Sequence, residues 1–274
     1  MLKSFFKYFL LVIITMFIFF PIIWLVSTSF KNPVDMFAVP PIFVPANPSF
    51  DHYATLFFEA EIVKYILNSI IVAVSTTLLA LVTGTLAAYS LARFRLPYRM
   101  NERLSFWVLS TRMFPPIVTI IPLFAMMRFF GLLNTRIGLV IAYTAFNLPF
   151  VVWMMRGFFI EIPEELEEAA MVDGDSRMSA FRRIILPIAK PGLVATSIFT
   201  LILSWNEFLF ALILSQTRSA ATLPIGVAST VTQYEIKWGE MSAAGVIAVV
   251  PVLIFAFVVQ KHLVRGMSFG AIKG

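Results

Sequence analysis

The 274-residue chain contains no cysteine and carries few charges for its length. Without thiols it can hold neither a disulfide framework nor a thiolate metal site. Charged residues make up 13%, where soluble domains average about 25%. There is no G-x-x-x-x-G-K-[S/T] phosphate loop, so no backbone cradle for ATP is encoded, and no H-E-x-x-H zinc site. The two histidines, His52 and His262, lie far apart in sequence and read as non-ligands, so no metal site and no resident cofactor is expected. No period of 20–50 residues repeats.

What is present is hydrophobic: 59% of residues, against about 45–50% apolar in an ordinary soluble domain. A water-soluble fold of this size could not hide so much apolar surface behind so few charges. Composition therefore excludes a cytosolic enzyme, a disordered chain and a coiled coil. The net charge of +6 fits basic cytoplasmic loops better than a nucleic-acid surface, and no nucleic-acid partner is expected.

Six stretches are nearly free of Asp, Glu, Lys and Arg: 8–30, 65–92, 104–127, 137–155, 191–217 and 241–260. A spanning helix needs about 20 apolar residues to cross about 30 Å of hydrocarbon. The expected fold is all-α: a polytopic membrane protein, one transmembrane domain over 1–274. Its spans are expected at about 8–30, 65–92, 104–127, 137–155, 193–214 and 241–261. A further gap, Met36 to Phe50, is too short and carries four prolines, so it reads as an extended loop. The first run is too long for a signal peptide and lacks a small-residue cleavage site, so it is expected to be a retained helix.

Basic residues orient the chain. With the N-terminus inside, 14 of the 21 Lys and Arg fall in cytoplasmic parts, six outside, and Arg112 within a span. The excess predicts that both termini are cytoplasmic.

The stretch 156–190 is the longest polar cytoplasmic connection. Pro163 suits a first helical position, Glu164 and Glu165 oppose the positive helix end, and Gly174 suits a left-handed stop. Leu166, Ala169, Ala170 and Asp173 share one face of this helix, small at its centre. Asp175 or Ser176 can cap a second helix, and Pro187 and Pro191 turn the chain back to the membrane. Taken alone, this pattern also fits a solvated connector.

The order Glu168-Ala169-Ala170, Asp173-Gly174, Phe181-x-x-Ile184-x-Leu186-Pro187, placed between a fourth and a fifth span, resembles the EAA loop of permease subunits in binding-protein-dependent ABC importers. Asn68-Ser69, Ser204-Trp205-Asn206-Glu207-Phe208, Ala243-Ala244-Gly245 with Val250-Pro251, and the ending Gly266 to Gly274 resemble the carbohydrate branch. The likeness is nearest to the smaller, maltose-type permease subunit and covers nearly the whole chain. Asp175 departs from it, since a small residue usually follows the glycine there.

The resemblance implies a type I importer permease fold in a bacterial inner membrane. It further implies a second homologous permease, two separate ATP-binding subunits holding ATP and Mg, and a periplasmic or lipid-anchored solute-binding protein. Glu168 would then make a charged contact in a cleft on the ATPase, Ala169 and Ala170 a close-packed knob, and Asp173-Gly174 the turn. Leu186 and Pro187 would anchor the loop, and the tail from Gly266 to Gly274 would be a second contact.

Two intramembrane charges call for protein or watery surroundings. Asn206 and Glu207 could touch a polyhydroxyl solute, or Glu207 could pair with a basic group or cap packed helices. Arg112 precedes Pro115-Pro116, which must break or kink its span, and either lines a pathway or simply packs. Gly84, Ala87, Ala88 and Ser90 supply small residues where helices approach closely. The alternative class is an ion-coupled carrier or channel acting without an ATPase, though no matching broken helices mark two halves.

Overall fold

The structure, a computed structural model, describes residues 2–94 and 96–269, with side chains over 4–94 and 96–258. In chain order the helices are α1 (Leu2–Ser29), α2 (Pro33–Met36), α3 (Asp51–Phe58), α4 (Ile62–Arg93), α5 (Met100–Ser110), α6 (Pro116–Phe129) and α7 (Arg136–Glu161). There follow α8 (Glu165–Val172), α9 (Arg177–Ala180), a wide π turn over Phe181–Ile185, α10 (Leu186–Ile188), α11 (Lys190–Trp205), α12 (Leu209–Leu214), α13 (Leu223–Ala228) and α14 (Trp238–Phe269). Among the described residues there is no strand, only an isolated antiparallel bridge between Val231 and Ile236. The fold is all-α, as the six charge-poor apolar stretches predict.

Among the described residues four helices are long and apolar enough to cross a membrane unbroken: α1, α4, α7 and α14. Six crossings are reached when each of two bent helix pairs counts as one. The expected span at 104–127 is not a straight rod, because its two parts meet at 93°. Pro115 and Pro116 supply no N–H, and Phe114 and Pro115 take extended backbone with ψ of 130° and 129°, as residues before proline do. The expected span at 193–214 is likewise interrupted, α11 ending at Trp205 and α12 starting at Leu209. A 75° bend at Ala189 separates the segment Arg177–Ile188 from α11, with Pro187 and Pro191 flanking it.

The chain divides into two compact units, Met1–Ile66 with Leu223–Pro251, and Leu67–Thr222 with Val252–Gly274. In the first, α1 buries no part of its apolar window. At its end Ser29 bonds Tyr53 at 2.9 Å, and Phe30 packs on Phe50 and Tyr53. Lys31 is only 1% exposed, its ammonium 3.8 Å from the Trp24 ring centre. Burial pushes that ammonium below the usual lysine range, while Asp35 opposes the shift.

The core of the second unit joins α4, α7 and the 156–190 loop. Ala80, Ala88 and Tyr89 of α4 meet Val151, Met155 and Phe159 of α7, with Phe181 and Ile185 of the loop closing the cluster. Close approach is set by Gly84, where a Cβ would stand 2.6 Å from Val151 Cγ1. The 156–190 loop is therefore seated on the helix core.

Candidate coupling loop and translocation segments

The loop begins with α8, which is shorter than expected. It starts at Glu165 rather than Pro163 and runs eight residues, roughly 12 Å at 1.5 Å each. Pro163 instead stands in the extended turn that leaves α7. Gly174 ends the helix with φ +96°, the left-handed stop its sequence position suggested. Asp175 N donates to Ala170 O at 3.0 Å and Gly174 N to Met171 O at 3.2 Å, which together satisfy the last carbonyls in a Schellman pattern.

Ser176 caps α9 by accepting from Ser179 N at 3.2 Å. Asp175, the departure from the family pattern, accepts from Ser179 Oγ at 2.7 Å, and Arg183 lies 3.7 Å away. The extra acid is thus bound up within the loop's own turn.

The faces of α8 differ from the sequence expectation. Glu168, Ala169, Asp173 and Gly174 are exposed, with Val172 87% exposed, whereas Ala170 is buried. Ala169 and Ala170 therefore do not form one outward knob, because neighbours on a helix point about 100° apart. Leu186 is half-buried against the core, Pro187 is exposed, and the deep anchors are Phe181 and Ile185, at 4% and 0% exposure.

Sequence inspection missed the residue that seats the helix. Glu167 is buried, its Oε2 is 2.5 Å from Arg93 Nε, and its Oε1 accepts from the Tyr89 hydroxyl. Arg93 Nη2 also donates to Ile162 O at 2.8 Å. Beside this cluster lies a notch of about 340 Å³ lined by Arg93, Phe94, Glu164, Glu168, Met171 and Arg177, the last over the Phe94 ring at 5.0 Å. The one available signal was chemical: a run of acids in a helix that must pack on a membrane core has to turn some of them inward, and each then needs a partner.

Glu207 stands in the break between α11 and α12. Its carboxylate accepts from Phe210 N at 2.9 Å and Ala211 N at 3.2 Å, capping α12, which is the structural alternative set out for it. The buried Tyr143 hydroxyl lies beside it, and Thr222 lies beside Tyr143. Asn206 is exposed and bonds Ile202 O of its own helix at 2.9 Å. Arg112 does not join them. Its guanidinium lies 5.5 and 5.0 Å from the ring centres of Phe146 and Phe150, beside a cavity of about 300 Å³ that Thr119, Pro149 and Phe210 also line. Nη1 of Arg112 is buried without a hydrogen-bond partner among the described residues.

Asn68, fully buried, takes Arg136 Nε on its Oδ1 and gives Nδ2 to Ser219 O and Ala221 O. His52 bonds Lys31 O at 2.9 Å. The side chains of His262 and of the tail from Gly266 lie outside the described residues.

Residues 80–269 match the family described as binding-protein-dependent transport system inner membrane component. The chain is 37% identical over 267 residues to permease protein NgcG of the diacetylchitobiose uptake system of Streptomyces coelicolor, covering 96% of this chain and 87% of that one. It is 36% identical to the trehalose/maltose transport system permease protein MalG of Thermococcus litoralis, over 93% of this chain and 91% of that one. A chain in the crystal structure of a bacterial ABC transporter that imports the acidic polysaccharide alginate superposes with a TM-score of 0.81 at 25% identity, over 95% of this chain and 96% of that one. The match gives the type I importer permease fold. This chain is a multi-pass protein belonging to the inner membrane components of binding-protein-dependent transport systems.

Proposed function

We propose that the chain, acting as one transmembrane domain, forms half of the pathway of an ATP-driven importer for a sugar or related polyhydroxyl solute. A second homologous permease supplies the other half, a periplasmic or lipid-anchored binding protein delivers solute, and two separate subunits bind ATP and Mg. Both termini and the 156–190 loop face the cytoplasm, following the excess of basic residues on that side. The solute class is supported by the names of the relatives, which are sugar permeases.

The single observation carrying the coupling role is the two-sided build of α8. Its inner side is fixed in the core through Glu167 and Ala170, while Glu168, Ala169 and Val172 stand exposed at the polar edge. A short helix held this rigidly can move the spans when an ATPase subunit moves it. Glu168 makes the charged contact, Ala169 allows close approach, and Asp173 and Gly174 shape the end.

The test is uptake in membrane vesicles. Glu168→Lys and Gly174→Pro should abolish ATP-dependent uptake and loosen ATPase co-purification while the subunit still inserts. Normal uptake in both variants would sink the coupling role. Reconstituted alone, the chain should move nothing, and solute counterflow by the lone subunit would establish the carrier instead. Binding of a sugar panel by the cognate binding protein identifies the solute.

A further inference from the structure

The coupling loop is joined by the chain itself to α7 and α11, but not to α4. Motion of α8 reaches α4 only across side-chain contacts, and the polar ones converge on Glu167, which lies 74 residues from Arg93 in sequence. We infer that Glu167, Arg93 and Tyr89 form a strut that carries displacement of α8 into α4, making them positioning residues for coupling. This rests on the coupling role proposed above for the loop.

Four observations support the strut. Both carboxylate oxygens of Glu167 are occupied, one by Arg93 Nε at 2.5 Å and one by the Tyr89 hydroxyl, so the side chain cannot swing without breaking two bonds at once. Tyr89 and Arg93 are four residues apart and present one face of α4. The paired side chains are 3% and 5% exposed, and in such surroundings a half-broken pair is far worse than an intact one. Arg93 ends α4 and Glu167 sits in the first turn of α8, so each charge opposes the dipole of its own helix end.

The surroundings suit transmission rather than a ligand. Arg93 Nη2 also holds Ile162 O, tying in the end of α7, and the Tyr89 ring packs 4.4 Å from Phe181 and 5.8 Å from Phe159. A purely apolar contact could slide by a side-chain width, because dispersion has no directional preference. A doubly bonded carboxylate fixes register as well as distance. Glu168, one residue on, points outward, so contact with the ATPase and transmission into the membrane fall to adjacent acids.

The experiment uses the whole complex, both permeases, both ATP-binding subunits and the binding protein, in proteoliposomes. Uptake of labelled trehalose, maltose and diacetylchitobiose is measured against ATP hydrolysed. Glu167→Gln should assemble and hydrolyse ATP but import about tenfold less solute per ATP, a loss within the usual range of coupling between sites. Tyr89→Phe keeps the ring, removes one bond and should fall between. Exchanging the charges, Glu167→Arg with Arg93→Glu, should recover part of the ratio.

Spin labels at Ser90 and Met178 report independently of solute. Their separation should stay the same with and without ATP and vanadate in the wild-type chain, and change between those states in Glu167→Gln. An unaltered ratio with an unaltered separation in the variant would overturn the strut. So would parallel loss of hydrolysis, uptake and bound ATPase, which marks a docking role. A wild-type complex that imports none of the three sugars defeats the solute assignment alone, and the label distances still decide this inference.

Discussion

Arg136 Nε donates a 2.7 Å hydrogen bond to Asn68 Oδ1, joining the first turn of α7 to α4. The same amide gives Nδ2 to two carbonyls of the segment before α13, at 2.9 Å to Ala221 and 3.3 Å to Ser219. One buried side chain thus satisfies three polar groups from two distant stretches of chain. Asn68→Ala should lower unfolding stability by about 1–3 kcal/mol, the cost of one orphaned buried group, since only the bond to Ala221 O is fully buried. Asn68→Asp keeps the acceptor for Arg136 but sets a carboxylate oxygen against the Ala221 and Ser219 carbonyls, so its loss should be at least as large. Thermal unfolding of the purified subunit in nanodiscs measures both.

At Gly84 α4 approaches α7 closely. A Cβ there would stand 2.6 Å from Val151 Cγ1 and 2.9 Å from Val151 Cβ. Gly84→Ala should destabilise by about 1–3 kcal/mol through overpacking. Val151→Ala vacates that space, so the double variant should be more stable than the sum of the two single losses. Additive losses in a double-mutant cycle would show that the helices separate instead of clashing.

Among the described residues nothing lies within 4 Å of a Cβ built on Gly174, so none of them crowds it. What the position demands is φ +96°, which an L residue adopts at a cost of about 1–2 kcal/mol. Gly174→Ala should therefore weaken the turn by roughly that amount and reduce ATPase co-purification. Gly174→Asn should be milder, because asparagine tolerates the left-handed region better. Pull-down of the ATP-binding subunit separates the two.

For Glu207 the cap of α12 sets the expectation. Glu207→Ala leaves the N–H groups of Phe210 and Ala211 without their acceptor and should cost about 1–3 kcal/mol. Glu207→Gln retains an acceptor oxygen and should keep most stability and uptake. Uptake lost in Glu207→Gln at unchanged thermal stability would show that the carboxylate serves the solute rather than the helix.

Much of the site was legible before any coordinates. Gly174 and Ser176 were recognisable because helix stops and caps are decided by residues a few positions apart. Pro115-Pro116 announced a break for the same reason, as a missing N–H is a property of the residue itself. The angle of that break, 93°, was not legible, since it depends on what each half packs against. Glu207 shows the middle case: its two possible roles were visible in the sequence, and the structure adds the capping bonds from the Phe210 and Ala211 N–H groups.

By itself the sequence determined six apolar stretches, a polar loop between the fourth and fifth, and the start and stop signals within it. These follow from hydropathy and capping, which act over short ranges. The tertiary structure alone decided which of two adjacent acids would be buried. Glu167 and Glu168 differ by about 100° of helix rotation, and nothing local distinguishes them. The packing of α8 against α4, where Arg93 and Tyr89 wait 74 and 78 residues away, turns Glu167 in and Glu168 out.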